Sequence, residues 1–240
     1  VTQQQWEYEP AADIEQSIAE RLERFPREPD MLTYGLRSLA ALTLRGWLRA
    51  YHRLAIRGRE HLPPEGSFIM VANHTSHLDA LCLLSALPMA RLHQAFPAAA
   101  RDYFFVSLPR IAAAAIFVNA MPFARQVHVR QSLEICRGLL RRRGNVLILF
   151  PEGTRSPDGT MQAFRPGIGS LVAGVDVPVM PCALNGCFDA WPKGACIPRP
   201  RSLRLIIGPP RRYADLPPGR ESAHFIAQDL QRAIQELLCR

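Results

Sequence analysis

The chain has 240 residues, 48% hydrophobic and 21% charged, the length and balance of one large domain, or one domain with a small appendage, that can bury a core. No run of about 18 uncharged apolar residues occurs, which argues against an ordinary spanning helix. The formal charge of +8 is uneven, with eight acids against three arginines in residues 1–30 and 26 bases against 13 acids in the rest; a basic body suits phospholipid surfaces, phosphorylated substrates or nucleic acid.

The chain opens on Val1, which fits a segment of a longer protein, and the string VTQQQWEYEP is too polar to read as a secretory leader. The acidic segment 11–24 predicts a short helix closed by Pro26 and Pro29. Residues 31–54, rich in Leu and Ala and free of Pro, predict a long helix. LAIRG (54–58) and SFIMVANH (67–74) predict strands flanking the turn residues Pro63, Pro64 and Gly66, and 78–87 predicts a helix. DYFFV (102–106) is a strand candidate, followed by an apolar helix and a short strand near Ile116. Residues 126–143 predict a helix with arginines crowding its last turn and Gly144 as its stop. NVLILF (145–150) is the near-continuous apolar run of a strand buried on both faces. VPVMPCAL (177–184) and SLRLIIG (202–208) predict further strands, and 222–238 a closing helix.

Strands alternating with helices predict an α/β fold: a mostly parallel central sheet flanked by helices, preceded by an N-terminal helical segment. Functional residues of such sheets gather in loops at the strands' carboxyl ends. The six cysteines show no CxxC spacing, and a reduced compartment fits them better than a disulfide framework.

Two loops stand out. In NHTSHLD, His74 and Asp79 lie five residues apart across a strand-to-helix turn, with Asn73 able to fix the loop. A histidine that takes a proton near neutral pH needs a partner for its other ring nitrogen, which a carboxylate supplies. Asp79 also fits a helix-start acid with His74 an ordinary loop residue, and His74, His77 and Asp79 together could hold zinc. In FPEGTRS (150–156), Gly153 lets backbone approach a ligand, and Arg155 can grip a phosphate bidentately or simply pair with Glu152. No GxSxG, GxxxxGK or GxGxxG occurs, and neither a finger nor an aromatic–basic RNA signature supports nucleic acid.

Taken in order, HxxxxD in NHTSHLD, the arginine ending NAMPFAR, then FPEGTRS, FRPGIG (164–169) and VPVMPCAL resemble the ordered blocks of the glycerolipid acyltransferase superfamily, whose best-known members are the lysophosphatidic acid acyltransferases. The resemblance covers about residues 55–210 and is strongest at NHTSHLD and FPEGTRS. It implies a catalytic dyad of His74 and Asp79. It implies an acceptor site using Arg125, Glu152, Gly153, Thr154 and Arg155, and a donor-side role for Pro181. The second block departs from the family pattern, since Asn119 and Pro122 intervene where a glycine and a phenylalanine are common.

The implied activity is transfer of a fatty acyl group from acyl-CoA or acyl-carrier protein to a lipid hydroxyl, above all that of 1-acylglycerol-3-phosphate, with no metal or other cofactor. A non-phospholipid acceptor, a metal-assisted lipid hydrolase on His74, His77 and Asp79, and a non-catalytic lipid-binding module are the alternatives. The expected division is an N-terminal arm and amphipathic helix over 1–54 and an acyltransferase domain over 55–240. Arg37, Arg45, Arg49 and Arg53 share one helical stripe beside Leu32, Leu36, Leu39, Trp47, Leu48 and Tyr51. That pattern fits a helix lying on an anionic membrane surface, or one packed on the sheet with its arginines solvated. The location implied is cytoplasmic, peripheral to the inner face of the cell membrane.

Overall fold

The computed structural model describes residues 31–100, 121–123 and 129–240. The helix expected in 11–24, the strand at 102–106, the apolar helix and short strand near Ile116, and Arg125 lie outside them.

Among the described residues, seven strands form one sheet in the order β1-β7-β6-β2-β5-β3-β4. They are β1 (Ala55–Arg57), β2 (Phe68–Ala72), β3 (Ala95–Ala100), β4 (Met121–Phe123), β5 (Val146–Leu149), β6 (Val179–Asn185) and β7 (Arg204–Ile207). Every neighbouring pair is parallel except β6 with β7. The described helices are α1 (Met31–Ala50), α2 (Asp79–Ala86), α3 (Val129–Arg141), α4 (Gly167–Val172), α5 (Cys187–Ala190) and α6 (Arg220–Leu238). The expected α/β architecture is therefore present.

The central strands are apolar throughout because both sheet faces are covered. In β2, successive side chains point to opposite faces. Phe68, Met70 and Ala72 join Leu48, Leu78 and Leu83 on the α1 and α2 side. Ile69 and Val71 join Leu171, Ile226, Leu230 and Ile234 on the α4 and α6 side.

Two local readings are corrected, and one strand forms where none was read. The helix over 31–54 ends at Ala50, since Arg53 takes φ 46° and turns the chain toward β1. The four-arginine stripe is split: Arg37 is buried and Arg45 half-buried, donating to the Leu87 carbonyl, while Arg49 and Arg53 are exposed. Packing Leu48 fully into the core turns that side of α1 inward, and long arginine stems bury readily. Finally, AFPAAA forms β3, which no local signal announced, because alanine is a poor strand former and Pro97 lacks an N–H. Pro97 pairs with Ile148 of β5, and β4 joins β3 only from Ala98 onward, so the missing donor falls outside the β3–β4 ladder.

Candidate active site

The site follows from strand order. β2 and β5 are parallel neighbours, with Val71 opposite Leu149, so their carboxyl-end loops, NHTSHLD and FPEGTRS, emerge side by side. Asn73 clasps β6 from the first loop. Its amide donates to the Leu184 carbonyl at 3.0 Å and accepts the Leu184 N–H at 2.9 Å.

With the loop so anchored, the chain folds back and brings His74 to the first residue of α2. His74 Nδ1 lies 2.9 Å from Asp79 Oδ2. The same oxygen accepts the N–H groups of Thr75 and Ser76, each at 2.7 Å. Asp79 is fully buried, whereas 19% of the His74 side chain is exposed. Three donors on one oxygen fix the carboxylate, and the carboxylate fixes the ring. The tautomer this favours has the proton on Nδ1, leaving Nε2 as the basic ring nitrogen. The imidazole stacks on Phe150, with centroids 4.1 Å apart and planes at 18°. Behind Asp79, hydrogen bonding to Cys82, burial and the nearby carboxylate hold the Cys187 thiol well above its usual range, so it stays protonated.

The second loop grips His74 by its backbone. Glu152 Oε1 accepts the His74 N–H at 2.6 Å, and the His74 carbonyl accepts the Ser156 N–H at 2.8 Å. Glu152 Oε2 accepts the Gln162 N–H at 3.0 Å. Only 3% exposed, Glu152 is pushed up to about 7 by burial, against the pull of those two N–H groups. The alternative pairing of Arg155 with Glu152 is absent among the described residues. Instead, Arg155 Nη1 lies 2.6 Å from each ring nitrogen of His77. Burial, followed by the charges of Arg155 and His74, holds His77 down to about 4, so its ring is neutral at ordinary pH.

Gly153 has φ 76°, and a Cβ there would stand 2.9 Å from Arg165 Nε; the loop is tight and the Arg165 side chain lies across it. Thr154 is half-buried beside them. Pro181 sits elsewhere, buried within β6 opposite Val71, its carbonyl accepting the Gly208 N–H at 2.8 Å. Trp191, not singled out from sequence, closes the first loop from the far side of the chain. Its carbonyl accepts from Ser76 Oγ at 2.7 Å and from the His77 N–H at 3.3 Å. Among the described residues no group of three His, Cys, Asp or Glu side chains is arranged to hold a metal ion, and His77 turns to Arg155 and Trp191. The arrangement can take a proton from a nucleophile presented to His74 Nε2, with a guanidinium near by to hold an anionic group.

A family model described as Acyltransferase matches residues 53–185. The 1-acyl-sn-glycerol-3-phosphate acyltransferase alpha of Mus musculus is 30% identical over 144 residues, 59% of this chain and 48% of its own length. The chloroplastic 1-acyl-sn-glycerol-3-phosphate acyltransferase BAT2 of Brassica napus is 32% identical over 164 residues, 67% of this chain and 45% of its own. The chain spans about half the length of the curated relatives it matches. Among solved structures, the 1-acyl-sn-glycerophosphate (LPA) acyltransferase PlsC of Thermotoga maritima aligns with a TM-score of 0.64 at 25% identity, covering 86% of this chain and 80% of that one.

Proposed function

The chain belongs to the acyltransferase family, and from that premise we propose that it transfers a fatty acyl group from an acyl thioester to the free hydroxyl of 1-acylglycerol-3-phosphate. The observation that carries the reading is the 2.9 Å contact between His74 Nδ1 and a buried Asp79 whose engaged oxygen also takes two backbone N–H groups. A hydroxyl is a poor nucleophile until a base removes its proton as it attacks. His74 Nε2 accepts that proton while the hydroxyl oxygen bonds to the thioester carbonyl carbon. The tetrahedral adduct collapses, the carbon–sulfur bond breaks, and the imidazolium returns its proton to the departing thiolate. Asp79 steadies the imidazolium between those steps.

Arg155 supplies the charge for the acceptor's phosphate, a role guanidinium geometry suits. Acyl-CoA or acyl-carrier protein serves as donor. The acceptor is reached from the membrane surface, at its inner face. No helix among the described residues is long and apolar enough to cross a membrane, and α1 presents Leu36, Leu39 and Leu42, 42%, 61% and 57% exposed, to its surroundings. The test is thioester consumption against a panel of lysophospholipids, glycolipids and non-lipid alcohols, with product mass as readout. Product formed from 1-acylglycerol-3-phosphate above the others supports the reading; turnover confined to unphosphorylated acceptors overturns the phosphate assignment.

A further inference from the structure

A second basic site lies at the opposite end of α2 from the dyad. Asp79 opens that helix and Ala86 closes it, about 12 Å along the axis. Beyond its end is a cleft of about 260 Å³, with Arg45, Arg59 and Arg91 around an apolar floor that includes Leu62, Phe68 and Leu87.

The three arginines hold the chain's turns together. Arg59 donates to the Ser85 carbonyl at 3.1 Å, Arg45 to that of Leu87, and Arg91 to those of Pro64 and Gly66 at 3.0 and 2.6 Å. Capping α2 does not account for all of this charge. A helix carboxyl end carries about half a negative charge, so three guanidinium groups leave an excess of about two and a half. Each guanidinium has about five N–H donors, and carbonyls take only one or two from each. Among the described residues the Nε groups of Arg45 and Arg91 are buried and have no hydrogen-bond partner. Among the described residues no carboxylate lines the cleft, and Glu60 and Glu65, the acids nearest in sequence, are exposed and pair with none of the three. Burial, and behind it the charge of Arg59, lowers the Arg45 guanidinium from its ordinary value. Two cations are held together there, and among the described residues nothing of opposite sign lies between them.

We infer that this cleft is a binding site for a phosphate or phosphodiester group, separate from the acceptor site beside His74. Planar guanidinium groups at several angles match a tetrahedral oxyanion. The Leu, Phe and Pro floor suits a phosphate carried on an apolar body, such as the headgroup of an anionic phospholipid. Arg45 also follows the exposed Leu42 by one helical turn on α1, which brings the cleft beside the apolar surface of that helix. The same chemistry would hold free inorganic phosphate, so the experiment separates the two sources.

The parent protein, Arg59→Gln, Arg59→Lys and the double variant Arg45→Gln with Arg59→Gln are titrated with inorganic phosphate at low salt by calorimetry. The same proteins are co-sedimented with phosphatidylcholine vesicles with and without phosphatidylglycerol, a lipid that is not the product of the proposed reaction. Arg155→Ala serves as control for phosphate held at the catalytic end. Each glutamine should weaken binding about tenfold, the scale of one lost charge-assisted contact, and Arg59→Lys should recover part of it. A loss confined to the calorimetric arm assigns the cleft to free phosphate, and a loss of the phosphatidylglycerol-dependent increment assigns it to a lipid headgroup. Arg59→Gln, altered at an exposed side chain, carries the result if circular dichroism shows the double variant misfolded. Absence of binding in the parent in both arms, or equal binding by parent and Arg59→Gln in both, overturns the site.

Discussion

The Glu152 carboxylate accepts the backbone N–H of His74 at 2.6 Å, so the loop after β5 holds the histidine's backbone while Asp79 holds its ring. With Gln162 on its other oxygen, Glu152 ties three chain segments together at a point almost sealed from solvent. Glu152→Gln replaces one acceptor oxygen with an amide NH₂ that must face a backbone N–H. The expected cost is about 1–3 kcal/mol of stability, read by denaturant unfolding, with a fall in turnover as His74 loses its backbone anchor. Parent-like stability and turnover would remove Glu152 from this role.

The same carboxylate makes stability depend on pH. Its folded-state value is raised from 4.5 to about 7. As pH climbs through that window the unfolded chain releases the proton while the folded chain keeps it. The contribution of Glu152 is therefore full below about 4.5 and is lost as pH rises to about 7. Unfolding free energies of parent and Glu152→Gln, measured across the window, should differ by an amount that shifts against the parent as pH rises. A difference independent of pH would contradict the raised value.

Arg155 should matter to the acceptor and not to the donor. Arg155→Ala is expected to raise the Michaelis constant for 1-acylglycerol-3-phosphate by about tenfold or more, with a smaller effect in Arg155→Lys. Initial rates with each substrate varied in turn decide it. A defect confined to the thioester's constant would move Arg155 to the donor side.

The proposed membrane contact through α1 rests on apolar side chains that are exposed. Leu39 and Leu42 are 61% and 57% exposed, and their replacement by Glu should weaken vesicle binding with little loss of stability. Co-sedimentation with neutral and anionic vesicles measures it, with thermal unfolding as the check on folding. Unchanged binding in the doubly substituted protein would assign contact to another surface.

What the sequence reveals here depends on how local the cause is. β2 and β5 are legible because burial on two faces writes an unbroken apolar run into FIMVA and VLIL. The fold-back of Asp79 onto His74 is legible because both residues sit in one short loop. The grip of Glu152 on His74 is not, since it depends on β2 and β5 being parallel neighbours, 78 residues apart in sequence. β3 is silent for another reason: alanines carry no strand signal, and pairing with β5 decides their conformation. On α1, spacing shows that Arg37 and Arg45 share a side, but the burial of Leu48 decides that this side faces inward. The carbonyl of Trp191 on Ser76 crosses 115 residues and leaves no mark on either segment.

The central claim is that His74, oriented by Asp79, is the base for acyl transfer to 1-acylglycerol-3-phosphate. Its most direct test is single-substrate-series kinetics of thioester consumption by the parent and His74→Ala, with the diacyl product identified by mass and folding checked by circular dichroism. The account predicts a folded variant whose turnover is lower by about 10²–10⁴, the usual worth of a general base. A folded His74→Ala protein that forms the same product within a few-fold of the parent rate would contradict it.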